Sequence, residues 1–190
     1  MNAARNPHGL ETITRQLLPM APQRVVLVSP EGDSASIMAV QLTRALADRG
    51  KRCVLIDMTG LGTISLAMLD GNRLAGITDL LTSERRFNEV IHSDRFSTAH
   101  VIPLGLADPE RAMRSAERLP FIFDALATVY DFVIVETGPS HAADLEQVVN
   151  RDTVLIMSVI DPDSPKVTAA AEEFDQGKYD DIIILMDASA

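Results

Sequence analysis

The residues best placed for chemistry fall in three short stretches, each following a run of aliphatic residues. The first is Ser29-Pro30-Glu31-Gly32-Asp33-Ser34-Ala35-Ser36, which leads into IMAVQLTRALADRG. A small-residue loop between a strand and a helix is a ready anion site, because the first helical amides lack intrahelical acceptors and the helix dipole favours negative charge there. A phosphate loop that works on nucleoside triphosphates ends in Gly-Lys-Ser or Gly-Lys-Thr. In the register set by the following helix, Ser34 stands at the glycine, Ala35 at the lysine and Ser36 at the hydroxyl position. Alanine cannot offset phosphate charge, and Glu31 and Asp33 add negative charge. Gly32, Asp33, Ser34, Ala35 and Ser36 read either as a vestigial nucleotide site or as an ordinary turn with Ser34 or Ser36 capping the helix.

The second stretch is Leu55-Ile56-Asp57-Met58-Thr59 and the third is Val135-Glu136-Thr137-Gly138-Pro139. Asp57, at the carboxyl end of a strand, could face a metal, activate a hydroxyl or cap the next turn. Glu136 stands where a phosphate-loop protein holds its magnesium with an aspartate, one methylene longer than that role requires. The four histidines, His8, His92, His100 and His141, lack metal-ligand spacing. Only His141 lies near the third stretch, and a surface position at a helix start explains it. Cys53, the one cysteine, sits in the apolar run CVLID and reads as a buried structural thiol in a reducing compartment.

The elements that must position these loops are legible in the hydrophobic pattern. Strands are expected at 24–29, 52–57, 99–103, 131–137, 153–160 and 181–186. Most are continuous apolar runs, as in strands buried on both faces. Helices are expected at 36–49, 77–81, 87–92, 108–118, 120–129, 141–150 and 165–174. The alternation implies right-handed crossovers and an α/β fold, a doubly wound, mostly parallel sheet between two helical layers. In such sheets ligands bind outside the carboxyl ends of the strands, where all three stretches lie. An amphipathic segment, Leu10–Leu18, precedes the first strand and is closed by Pro19 and Pro22. It is expected to pack on the sheet or on a neighbouring subunit. One domain is expected over 1–190, with a helical segment at 1–22 and a core at 23–190.

Composition narrows the function further. A formal charge of −10, with only Lys51, Lys166 and Lys178 as lysines, argues against a general nucleic-acid binder. No apolar run reaches the ~20 residues that span a bilayer, and MNAARNPHGLET has no signal-peptide core. The chain is expected in the cytoplasm.

These residues resemble the bacterial tyrosine kinase family, the cytosolic domains of polysaccharide co-polymerases, which are relatives of the MinD/ParA ATPases of the P-loop class. The resemblance runs from about Leu10 to Asp187. It is carried by RVVLVS, LTRALADRGKRCVLID, GITDLL, HVIPLG, VYDFVIVETGP and RDTVLIMSV. The pair Gly76-Ile77-Thr78-Asp79-Leu80-Leu81 and Ile102-Pro103-Leu104-Gly105 is the part most specific to this branch. Set on the family pattern, the Walker A lysine falls on Ala35 and the following hydroxyl on Ser36. The Walker A′ Asp-x-Asp falls on Asp57 and Thr59, and the Walker B aspartate on Glu136. The oligomerisation helix Glu-x-x-Arg-x-x-Arg falls on Gly9, Thr12 and Arg15, of which Arg15 alone matches and is the expected interface residue. The C-terminal tyrosine cluster is absent, leaving Tyr130 and Tyr179.

Removing one charge-stabilising group commonly costs roughly 10²–10³ in rate. The resemblance with these departures therefore implies a catalytically degenerate kinase-like domain; the activity it would have if active is that of an ATP-dependent protein-tyrosine kinase or ATPase. Its expected role is an interaction or regulatory module in exopolysaccharide biosynthesis or export, including chain-length control. Its implied partners are co-polymerase or export membrane proteins at the inner face of the cell membrane, with a homo-oligomer as a further option. Two alternatives stay open: a switch that binds ATP or ADP with magnesium but hydrolyses slowly, and an atypical MinD/ParA-like localisation factor for a pilus or secretion system.

Overall fold

The computed structural model describes residues 8–176, 179 and 181–186; Lys178, Asp187 and the first seven residues lie outside them. Seven strands form one sheet: β1 (Arg24–Val28), β2 (Cys53–Asp57), β3 (His92–Ser93), β4 (His100–Ile102), β5 (Phe132–Glu136), β6 (Thr153–Val159) and β7 (Ile182–Met186). Their order is β3-β4-β2-β5-β1-β6-β7, and every pairing is parallel except the short antiparallel edge between β3 and β4. All residues of β1, β2 and β5 are buried, as their continuous apolar runs imply. The outer edge of β7 is partly covered by His8, which exchanges backbone hydrogen bonds with Ile184 and Met186.

Strand alternation sends side chains to two separate cores. Val25, Leu27, Leu55 and Ile134 pack on one face with α1 (Leu10–Met20) and α2 (Asp33–Ala47). Val26, Ile56, Val133 and Val135 pack on the other with α4 (Ile77–Leu81), α7 (Leu119–Ala127) and α8 (Pro165–Gln176). Short helices α3 (Thr63–Leu66), α5 (Phe87–Val90) and α6 (Pro109–Met113) complete the connections. The N-terminal helix takes the first of its two expected placements: Ile13 and Leu17 are fully buried against the sheet.

Four expectations need correction. Helix α1 runs through Pro19 and ends at Ala21, whose amide bonds Leu17 O, since a proline in the last turn forfeits one hydrogen bond without breaking what precedes it. Helix α2 begins at Asp33 rather than Ser36, because Gly32 (φ 83°) turns the chain at a backbone angle that glycine tolerates. The helix expected over 108–118 is split into α6 and a 3₁₀ turn at Ala116–Arg118, as Pro120 has no N–H to give Ala116 O. The segment 141–150 forms a 3₁₀ turn, Ala142–Leu145, in place of a helix. It buries Leu145 and Val148, three residues apart, a spacing that a tight turn already aligns. Helix α3 and strand β3 had no expected counterpart.

Candidate functional site

Register brings the three stretches together. Asp57 and Glu136, each the last residue of its strand, are direct partners across the β2–β5 ladder, and Leu27 of β1 pairs with Glu136 on its other side. By alternation both carboxylates lie on the face covered by α2 and α3, as do Ser29 and Ser158. All four are fully buried.

Asp57 is engaged through both oxygens and Glu136 through one. Asp57 Oδ1 accepts from Thr59 N (3.1 Å) and Thr59 Oγ1 (2.7 Å), while Oδ2 accepts from Ser65 N at the start of α3 (2.8 Å). Of its open roles, the turn cap is the one the geometry realises. Glu136 Oε1 accepts from Gly138 N (2.9 Å) and from Ser36 Oγ (2.9 Å), whose hydroxyl also lies 3.2 Å from Gly32 O. Burial is the main influence on this carboxyl, and its pKa is pushed up to about 8; the Gly138 amide and the Ser29 and Ser36 hydroxyls pull weakly the other way, and the charge of Asp57 adds to the rise. Glu136 therefore holds its proton at neutral pH. Glu136 Oε2 and Ser29 Oγ are buried without hydrogen-bond geometry to any described group.

The loop itself is closed. Ala35 is fully buried, and its carbonyl accepts from Ser158 Oγ (2.8 Å), which ties the lysine position to β6. The amides of Ala35 and Ser36 both donate to Gly32 O, and that of Gly32 to Ser29 O (2.9 Å). Only the first helical amides, those of Asp33 and Ser34, have no intrahelical acceptor. Neither Ser34 nor Ser36 caps α2, whose N-cap is Gly32 without a side-chain bond; Ser36 is turned to Glu136 instead. Glu31 leaves the loop to accept from the amides of Ile160 (2.6 Å) and Asp161 (3.2 Å), and Asp33 accepts from Thr63 Oγ1 (2.7 Å).

This donor set does not suit magnesium. The ion needs ionised oxygens in near-octahedral array and retains several waters. Here Asp57 has both oxygens engaged by Thr59 and Ser65, Glu136 has one engaged by Gly138 and Ser36, and both carboxyls are shut from solvent. Among the described residues no group of three or more His, Cys, Asp or Glu is arranged to hold a metal ion.

A family model described as an AAA domain matches residues 31–164. The chain belongs to that AAA-domain family. The putative tyrosine-protein kinase EpsB of Ralstonia solanacearum is 29% identical over 118 residues, covering 60% of this chain and 16% of that protein. The chain thus spans about a sixth of the length of the curated relatives it matches. Among solved structures, the kinase domain of Escherichia coli tyrosine kinase ETK superposes with a TM-score of 0.77 at 17% identity, covering 93% of this chain and 71% of that one. The septum site-determining protein MinD from Pyrococcus horikoshii OT3, complexed with Mg-ADP, gives 0.67 at 18% identity over 85% of this chain and 67% of that one. The resemblance read from the sequence and the P-loop, MinD/ParA-like fold are both borne out.

The remaining sequence candidates sit apart from the site. Arg15 is exposed and lies 3.5 Å from Glu11 on its own helix. Tyr130 is half-buried with its hydroxyl 2.7 Å from His100 Nδ1, and burial raises its pKa. Tyr179 packs on Phe174. His141 is on the surface beside Glu173 (2.9 Å), which raises its pKa. The Cys53 thiol is pushed up to about 12 by burial, which makes it inert. Sequence reasoning missed Ser65 and Ser158. Ser158 did carry a signal, a lone serine inside TVLIMSV; Ser65 carried none.

The two segments most specific to the tyrosine-kinase branch have a structural task. Asp79 Oδ2 accepts from Gly76 N (2.7 Å) and Leu106 N (2.9 Å), stitching α4 to the loop after β4. A Cβ at Gly105 would stand 2.3 Å from Thr78 Oγ1 and 2.5 Å from Asp79 Oδ2, so only glycine fits beneath that stitch.

Proposed function

We propose that this chain is a kinase-like domain that does not transfer phosphoryl groups and acts as an interaction or regulatory module. By likeness to the EpsB-type tyrosine kinases, its setting is exopolysaccharide biosynthesis or export, including control of chain length. Its partners would be co-polymerase or export membrane proteins at the inner face of the cell membrane. No helix among the described residues is long and apolar enough to cross a membrane, so a partner or a segment outside this chain would supply that attachment.

One observation carries the reading: the groups that should face phosphate and metal are bonded to each other. Ser36, the hydroxyl a phosphate loop turns to magnesium, is bonded to buried Glu136, and buried Ala35 stands at the lysine position. A reaction whose catalysis is positioning plus charge stabilisation loses its main components together.

Incubation with radiolabelled ATP and magnesium tests it. The expected outcome is no hydrolysis above buffer and no label on Tyr130 or Tyr179. Magnesium-dependent hydrolysis or labelling that disappears in Asp57→Ala would overturn it.

A further inference from the structure

The opposite face of the sheet, at the same carboxyl edge, holds a cavity of about 440 Å³. Ile77 and Leu81 of α4, Met113 of α6 and Leu119 of α7 form its walls, closed by Leu145 and Val148. Its polar lining residues are Thr78, Ser140, Asp144 and Gln147, with Thr59 and Thr137 from the loops that follow Asp57 and Glu136; no lysine, arginine or histidine lines it. A cleft of this size, mostly apolar with a few polar groups, has the make-up of a small-molecule site.

One feature separates it from a packing gap. Its α4 wall is built rather than merely apposed: Ile77 N donates to Pro103 O (2.8 Å), Thr78 N to Leu104 O (2.9 Å), and the Asp79 carboxylate braces both segments. The lining also sets the ligand's charge. Asp144, exposed to solvent, has one oxygen bonded to His141 N (3.1 Å), and with no lysine, arginine or histidine in the lining a phosphate has nothing to hold it and anions are disfavoured.

We propose that this cavity binds a compact, mostly apolar small molecule that is neutral or carries one positive charge, at a site distinct from the degenerate phosphate loop. The proposal does not rest on the function given above and would stand if the loop bound nucleotide.

Titration of the full chain with the neutral fluorophore N-phenyl-1-naphthylamine tests it. Saturable enhancement at one site per chain is expected. Ala116→Phe and Met113→Phe, which fill the cavity from two different elements, should each weaken binding at least tenfold while retaining a cooperative thermal transition. Phe121→Ala, at an exposed apolar residue elsewhere, should leave it unchanged. Octylamine should displace the probe at least fivefold better than octanoate, and Asp144→Asn should remove that preference. Non-saturable binding, indifference to both filling variants, equal displacement by octanoate, or displacement by millimolar ATP with magnesium would each overturn the proposal.

Discussion

The two faces of one sheet edge are built on opposite rules. On the α2 face, between β1, β2 and β5, Ser29, Ser36, Ser158, Asp57 and Glu136 are all fully buried. On the α4 face, a few ångströms away through the same strand ends, apolar side chains surround a cleft of about 440 Å³. Burying polar groups demands partners for them, and partners hold their positions tightly; apolar walls impose no such demand. A phosphate site that loses its cation must either stay open with repelling carboxylates or close by sharing hydrogen bonds and a proton. The Ser36–Glu136 hydrogen bond fits the second course.

Variants can break this contrast, beginning with the largest effect. Asp57→Ala removes the acceptor for Thr59 N, Thr59 Oγ1 and Ser65 N in a dry setting. It should lower unfolding stability by about 3–4 kcal/mol, read as a shift in urea midpoint at constant m-value. A loss under 1 kcal/mol would mean that water reaches this face.

Glu136→Gln sharpens the same point through pH. The unfolded carboxyl ionises near its ordinary value, whereas the folded one keeps its proton to about 8. The folded state thus binds the extra proton between these values, and stability attributable to Glu136 falls as pH rises through that window, by up to about 1.4 kcal/mol per pH unit. Below the window it is fully present, and above about pH 8 the loss levels off. The glutamine variant should lack this slope and exceed the parent in stability at pH 7. Urea titrations from pH 5 to 8.5 measure both.

Gly105→Ala reaches the stitch beside the cavity. With φ 108° and a new Cβ pressed on Thr78 and Asp79, it should cost about 1–3 kcal/mol. Met113→Ala, at a half-exposed residue on the cavity wall, should change stability by no more than about 0.5 kcal/mol. Equal effects from Asp57→Ala and Met113→Ala in the same denaturation assay would erase the distinction between the faces.

The sequence made some of this legible and hid the rest for physical reasons. Strand positions were readable because VVLV, CVLI and FVIV are continuous apolar runs, as strands covered on both faces require. The altered loop was readable because a missing lysine at Ala35 is a change of type at a fixed spacing. The closing of the site was not. It depends on Ser36 turning to Glu136 and Ser65 reaching Asp57, contacts that span 100 and 8 positions and exist only once the sheet is assembled. The cavity was equally hidden. Ile77, Leu81, Leu119 and Leu145 announce burial, but apolar periodicity cannot say whether the side chains meet.

The closure of the phosphate loop is tested most directly by calorimetric titration of the chain with ATP and magnesium at neutral pH. With Ala35 buried and Ser36 held by Glu136, no saturable heat and no thermal stabilisation are expected at millimolar nucleotide. Saturable binding at one site, lost when Ser36 or Asp57 is replaced by alanine, would contradict it.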